Sequence, residues 1–100
     1  MGRRQVAERF AAIASCVQEH QPDEAVVRLL TQAEVLCEEA ACEEASGELK
    51  TLLMDVRTAL QTWQAVWPRL GRQPEFRRAV AREAQQWSTR FSVSPSVAGS

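Results

Sequence analysis

The sequence predicts an all-α protein that folds as a four-helix antiparallel bundle. Apolar residues recur three and four positions apart in four successive segments, which is the spacing of one helix face. Proline or glycine stands at each boundary between these segments, and the chain has only four of each. With 45% hydrophobic and 25% charged residues, the composition is that of an ordinary globular domain. We therefore predict a bundle domain over residues 1–92, followed by a flexible tail over residues 93–100 without helical periodicity.

The first two helices are predicted over about residues 3–20 and 22–46, joined by a very short connection. Pro22 ends the first helix and suits the first position of the second, with Asp23 and Glu24 at the positive end of the helix dipole. Because the connection is so short, the two helices are expected to be antiparallel neighbours. The predicted core face of the first helix consists of Val6, Phe10, Ile13 and Val17.

The third helix is predicted over about residues 48–67, separated from the second by Gly47. Glycine commonly ends a helix, but a single glycine within one costs only about 1 kcal/mol. The heptad series of the two segments are out of phase by two residues, which favours a break. Without that break, helices 2 and 3 would form one rod of about 46 residues that only an oligomer could cover. The two series are Val26, Ala33, Ala40 and Leu49, Val56, Trp63.

The fourth helix is predicted over about residues 74–91, with Pro74 at its first position. Pro68 and Gly71 are expected to end the third helix. Trp63 and Trp67 would then face the start of the fourth helix across the connecting turn. The buried face of this last helix is predicted to consist of Phe76, Val80, Ala84, Trp87 and Phe91.

Residues that could carry metal or catalytic chemistry are few. Cys16 and His20 lie one turn apart, but Cys16 would lie opposite about Val26, whereas Cys37 would lie roughly 22 Å beyond the turn along the hairpin axis, at 1.5 Å per residue. Cys37 and Cys42 would point away from each other. A di-iron site needs two Glu-x-x-His pairs, and the chain has one histidine. With no phosphate-binding loop and no nucleophile elbow, we predict no enzymatic activity, no metal and no cofactor.

The location of the protein is predicted from its cysteines and its apolar segments. Three cysteines without framework spacing suit reduced thiols in a reducing compartment. The longest apolar stretch near the amino terminus, residues 10–17, is too short to span a membrane. We expect a cytoplasmic protein with no membrane contact.

Charge is distributed unevenly although the net charge is only −1. From Glu19 to Asp55 acidic residues dominate, whereas arginine dominates from Arg69 onward. An arginine-rich surface can bind an acidic protein, a nucleic acid or the acidic flank of helix 2. Val35 and Cys42 lie opposite the core stripe of helix 2 and could form a docking strip or an intersubunit contact. The residues predicted to bind a partner are Arg69, Arg72, Arg78, Arg82, Val35, Cys42 and, if its indole is exposed, Trp67.

The leading functional hypothesis is a small protein-protein interaction or regulatory module that acts through a helix face and associates with itself, for example as a homodimer. The alternative is a nucleic-acid-binding regulator that uses the arginine-rich segment 69–90 on phosphates. A pI of about 5.8 is low for a dedicated nucleic-acid-binding domain and favours the first hypothesis.

Overall fold

Four α-helices make up the part of the chain that the computed structural model describes, residues 2–43 and 47–92. They are α1 (Gly2–Gln18), α2 (Asp23–Glu43), α3 (Gly47–Leu70) and α4 (Pro74–Ser92). The described residues contain no strand. The all-α, four-helix prediction is therefore confirmed, while the tail predicted over 93–100 lies outside the described residues.

Neighbouring helices follow the order α3, α2, α1, α4 across the bundle, and the two outer helices, α3 and α4, do not pack along each other to close it. α1 contacts both α2 and α4, and α2 contacts α3. Ser88 of α4 donates a hydrogen bond to the carbonyl of Ala7 at 2.8 Å, and the rings of Phe10 and Phe91 lie 6.4 Å apart. At the other end of α1, Arg77 of α4 donates to the carbonyl of Val17 at 3.3 Å, so the start of α4 lies beside the end of α1 and the two helices are antiparallel. Consecutive helices α3 and α4 do not pack along their lengths, so one side of α4 is left without a neighbouring helix.

The core consists of the faces that the apolar spacing predicts. All four predicted core residues of α1 are buried, as are Val80, Ala84 and Phe91 of α4. The other two residues predicted for the buried face of α4, Phe76 and Trp87, are only partly buried and pack against the edge of the core. Each fully buried aliphatic or aromatic side chain contributes about 1.5–3 kcal/mol relative to exposure, so this core dominates the stability of the fold. α3 contributes both buried tryptophans, and its buried residues are Leu53, Val56, Leu60, Trp63 and Trp67.

α1 ends at Gln18, two residues before the predicted end at His20. His20 has a left-handed backbone with φ of 56°. Its N–H donates to the carbonyl of Val17, and the N–H of Gln21 donates to the carbonyl of Cys16, each at 3.2 Å. This pair of bonds is a Schellman cap, which satisfies the last carbonyls of the helix. The chain therefore reverses immediately, as the short connection predicted, and α2 begins one residue after Pro22.

The break between helices 2 and 3 is confirmed, although Gly47 does not act as a left-handed cap. Gly47 is the first residue of α3, and none of the described glycines has a positive φ. Residues 44–46 lie outside the described part of the chain. Since α2 and α3 pack against each other as separate helices, the alternative of one fused rod is wrong.

α3 continues through Pro68 to Leu70, three residues beyond its predicted end. A proline this close to the end of a helix removes a single backbone hydrogen bond. The N–H of Gly71 donates to the carbonyl of Trp67 at 2.8 Å and closes the last turn. The extra turn places Gly71 against Trp67, and this contact sets the position of the connection to α4.

Candidate functional site: an arginine-lined cleft

A cleft of about 1070 Å³ opens at the end of the bundle where α1 turns into α2 and α3 turns into α4. Arg72 lines it from the α3–α4 connection, and Arg78 and Arg82 line it from successive turns of α4. The opposite wall includes His20 and Pro22 from the α1–α2 connection. Residues from two stretches far apart in sequence, 17–23 and 72–82, thus form one concave, mainly basic surface.

Arg72, Arg78 and Arg82 are exposed and make no ion pair within the described residues. The two ion pairs found there join Arg57 to Glu38 and Arg77 to Asp23. Three guanidinium groups therefore face the cleft without a carboxylate partner. Each carries five N–H donors in a planar arrangement that matches carboxylate or phosphate oxygens.

Arg77 also lines the cleft, but its side chain is occupied by the fold. Its Nη1 donates to the carbonyl of Gly71 at 2.8 Å, and its Nη2 donates to the carbonyl of Val17 at 3.3 Å. The guanidinium lies 5.4 Å from the centre of the Trp67 ring and 3.8 Å from the Asp23 carboxylate. Arg77 thus connects the ends of α1, α2 and α3 beneath the cleft. Sequence reasoning missed this role, because it depends on which helix ends meet in the fold.

Trp67 is only 1% exposed, so its indole is part of the core and not a surface anchor for a partner. Its ring lies 5.6 Å from that of Phe76, as the prediction that it faces the start of α4 requires. The indole Nε1 donates to Asp23 at 3.2 Å. Trp67 therefore supports the floor of the cleft from within and is not available for direct contact.

A second groove of about 500 Å³ continues from the cleft along α1 and α4. The two share Gln18, Ala81 and Arg82, so they form one continuous surface. Arg90 lies in this groove, with its guanidinium 5.6 Å from the Trp87 ring. The cleft and this groove together extend about 18 Å along α4 from Arg78 to Arg90, at 1.5 Å per residue.

The remaining predicted partner residues lie elsewhere on the molecule. Arg69 is exposed in the last turn of α3 and does not line the cleft. Val35 is 47% exposed and Cys42 is exposed, both on α2. Met54 of α3, which sequence analysis did not select, is 37% exposed. Because α1 lies between α2 and α4, the residues predicted to bind a partner lie on two separate surfaces. One is the arginine surface at the cleft, and the other is a weakly apolar strip on α2 that contains Val35 and Cys42.

Two acidic residues in the middle of α2 interact with α3. Glu34 accepts hydrogen bonds from Gln61 at 2.8 Å and from Gln64 at 2.7 Å, and these bonds lower the pKa of its carboxyl group. Glu38 pairs with Arg57 at 3.2 Å. Pairing between helices 2 and 4 of the same chain, one option left open by the sequence, is limited among the described residues to the pair of Asp23 and Arg77 at 3.8 Å. Arg72, Arg78 and Arg82 make no ion pair there and remain available for another molecule.

Among the described residues, the three cysteines belong to no cluster of side chains of the kind that bind metals. The described residues contain no group of three His, Cys, Asp or Glu side chains that could hold a metal ion. Cys37 is fully buried, and burial raises the pKa of its thiol to about 12. Burial also raises the pKa of Cys16. Both thiols are small core groups, and only Cys42 is exposed.

Comparisons of this chain with known protein families, with curated proteins and with solved structures find no match. None of the helices described here is long and apolar enough to cross a membrane. The arrangement of the cleft residues is therefore the basis for any functional inference.

Proposed function

We propose that this protein is a protein-protein interaction module that binds an acidic segment of a partner through the arginine-lined cleft. One observation carries the proposal: three exposed arginines face a single cleft and have no carboxylate partner in the described residues. Arginine surfaces bind carboxylates through paired, charge-assisted hydrogen bonds. The continuous groove along α4 offers room for the residues that flank such a contact.

The alternative, a nucleic-acid-binding regulator, uses the same arginines on phosphates. Two features favour the protein partner. Binding to a nucleic acid relies on many phosphate contacts along an extended basic track, but these arginines are grouped at one end of a chain with a net charge of −1. Single strands are commonly bound through exposed aromatic faces, and Trp67, the indole behind the cleft, is buried.

Self-association is a second form that the interaction could take. Charge-complementary pairing would bring α2 of one copy to α4 of another. A twofold-symmetric dimer could make this contact twice. Glu34 and Glu38 of α2 are, however, already engaged by α3 within the chain, which favours a different protein as the partner of the cleft. The separate strip containing Val35 and Cys42 is the better candidate for contact between copies.

The proposal is tested with a fluorescent twelve-residue peptide rich in Asp and Glu and with its Asn and Gln counterpart. We expect the wild-type protein to bind only the acidic peptide, and the double variant Arg78→Gln, Arg82→Gln to bind it at least about tenfold more weakly. The matched control is Arg4→Gln, Arg28→Gln, which removes the same charge from exposed positions outside the cleft. Anisotropy at two salt concentrations measures the binding.

Equal losses in the two double variants would show that net charge alone drives binding, and the proposal would be wrong. A DNA or RNA oligonucleotide that binds more tightly than the peptide, with a steep dependence on salt, would favour the nucleic-acid alternative. Sedimentation equilibrium of the same samples measures self-association. If the wild type forms a dimer, the double variant Arg78→Gln, Arg82→Gln should remain dimeric. The variant Val35→Glu should then be monomeric if the copies contact each other through the α2 strip.

A further inference from the structure

The charge of the cleft indicates which acidic group it receives. Its charged lining consists of Arg72, Arg77, Arg78 and Arg82 against one carboxylate, Asp23. Asp23 is already engaged by Trp67 and Arg77, whereas the other three arginines have no carboxylate partner among the described residues. The cleft therefore presents an excess of positive charge larger than one carboxylate can balance.

We propose that the cleft binds a phosphorylated serine or threonine side chain within the acidic segment of the partner, an inference that rests on the proposed function. A phosphate monoester carries a charge of about −1.5 to −2 at neutral pH and three strong acceptor oxygens. A carboxylate carries one charge and two oxygens, which a single guanidinium satisfies. Several converging arginines match the phosphate better than they match a carboxylate.

The positions of the arginines suit one compact ligand group. Arg78 and Arg82 are one helical turn apart on α4, about 6 Å along the axis at 1.5 Å per residue. Arg72 reaches the same cleft from the connection that precedes the helix. Arginines thus border the cleft both from the α3–α4 connection and from α4, so more than one guanidinium is available to a phosphate bound there. The residues that flank the phosphorylated side chain would lie in the groove that continues to Arg90.

The experiment compares three peptides of the same acidic sequence with serine, phosphoserine or glutamate at the central position. We expect the phosphoserine peptide to bind about tenfold more tightly than the glutamate peptide, because additional charge-assisted hydrogen bonds form. The variant Arg78→Lys, Arg82→Lys retains the charge but loses the planar donors. It should lose most of the preference for phosphoserine while it retains binding to the other two peptides.

The outcomes separate this inference from the proposed function. If all three peptides bind equally and binding depends on Arg78 and Arg82, the proposed function stands and the phosphate inference is wrong. If no peptide binds in a way that depends on these arginines, both are wrong. Tighter binding to an oligonucleotide, or to vesicles that contain a phosphoinositide, than to the phosphoserine peptide would overturn the inference.

A direct readout locates the phosphate. In NMR spectra of the wild-type protein titrated with O-phosphoserine, we expect the side-chain Nε–H resonances of Arg72, Arg78 and Arg82 to shift together. The Arg28 resonance serves as the control and should not move. Uniform shifts of all arginines would indicate unspecific ion binding and would contradict a defined site. Backbone spectra of each variant establish that the fold is retained.

Discussion

The indole nitrogen of Trp67 donates a hydrogen bond to the carboxylate of Asp23 at 3.2 Å, which joins the last turns of α3 to the first turn of α2. The same carboxylate lies 3.8 Å from the Arg77 guanidinium and forms part of the cleft wall. Asp23 therefore has two opposing effects. It helps to hold the helix ends together, and its negative charge opposes the binding of an anion.

Asp23→Asn separates these two effects. The asparagine oxygen can still accept the indole hydrogen bond, but the charge opposite Arg77 is lost. We expect a loss of stability of at most about 1 kcal/mol, since the carboxylate is half exposed and screened by solvent. The acidic peptide should bind severalfold more tightly because a repulsive charge has left the cleft. Urea unfolding and fluorescence anisotropy measure the two effects.

The matched control for that substitution is Glu24→Gln, which removes a charge from the same helical turn outside the cleft lining. It should leave the affinity for the acidic peptide nearly unchanged. Weaker binding in Asp23→Asn than in the wild type would show that Asp23 organises the site and does not oppose the ligand.

Arg77 and Arg78 are adjacent in sequence, but their substitution should have opposite consequences. Arg77→Met removes hydrogen bonds to the carbonyls of Val17 and Gly71, together with the contact over Trp67. Because the Arg77 side chain is only 13% exposed and its bonds are charge-assisted, we expect a loss of about 2–4 kcal/mol. Arg78→Met should leave the denaturant midpoint unchanged and weaken peptide binding. Equal stability of the two variants would refute the structural role of Arg77.

The two glycines that border α3 provide a second matched pair. A Cβ atom at Gly71 would lie 2.7 Å from the indole of Trp67 and 2.7 Å from its backbone carbonyl oxygen. The carbonyl cannot move without opening the last turn, so Gly71→Ala should cost about 1–3 kcal/mol. Gly47 has open space around it, and Gly47→Ala should stabilise the protein by about 0.4–1 kcal/mol. Thermal unfolding would contradict this account if both substitutions acted in the same direction.

The sequence was sufficient to predict the four helices and their core because apolar spacing and proline positions are local properties. It placed the end of helix 1 too late, since nothing in the spacing shows that His20 adopts a left-handed conformation. It ended helix 3 too early because it treated Pro68 as a stop, whereas a proline near the end of a helix costs one hydrogen bond.

The candidate site was predicted in part. Arg72, Arg78 and Arg82 were selected from the uneven distribution of charge, and the structure places all three at one cleft. The role of Arg77 was not predicted, because it depends on the meeting of helix ends distant in sequence. The sequence left the exposure of the Trp67 indole open, and the structure buries it. Charge pattern therefore identified the arginine-rich region, and only tertiary packing distinguished the residue that supports the fold from those that remain available.

The lowered pKa of Glu34 makes a small part of the stability depend on pH. Hydrogen bonds from Gln61 and Gln64, with that from Gln61 the stronger influence, stabilise the ionised carboxylate and hold its pKa in the folded protein below that of an ordinary glutamate. The ionised carboxylate therefore adds to the free energy of unfolding. This stabilisation is complete above the pKa of Glu34 in the unfolded chain and is lost as the pH falls through its pKa in the folded protein. In Gln61→Ala the pKa should rise toward that of an ordinary glutamate. Carbon NMR of the Glu34 carboxyl group measures this pKa. An unchanged, low pKa in Gln61→Ala would show that another interaction stabilises the carboxylate.

The three thiols should react in a defined order with a disulfide reagent. Cys42 is exposed and should react at once. Cys37 is fully buried with a pKa of about 12, so it should react only as fast as the protein unfolds. Cys16 is buried at 8% exposure with a raised pKa, and it should also lag behind Cys42. We expect one fast thiol in the wild type and none in Cys42→Ser.

The rates of thiol reaction also test whether Cys16 and Cys37 are packed in the core. Core cysteines gain rapid access only when packing is loosened, so Leu60→Ala, which removes a fully buried core side chain, should accelerate the slow reactions by destabilising the fold. The fast reaction of Cys42 should keep its rate in that variant because it requires no opening. If Cys37 reacted as fast as Cys42 in the wild type, α2 would have to be open on the side where α1 and α3 cover it.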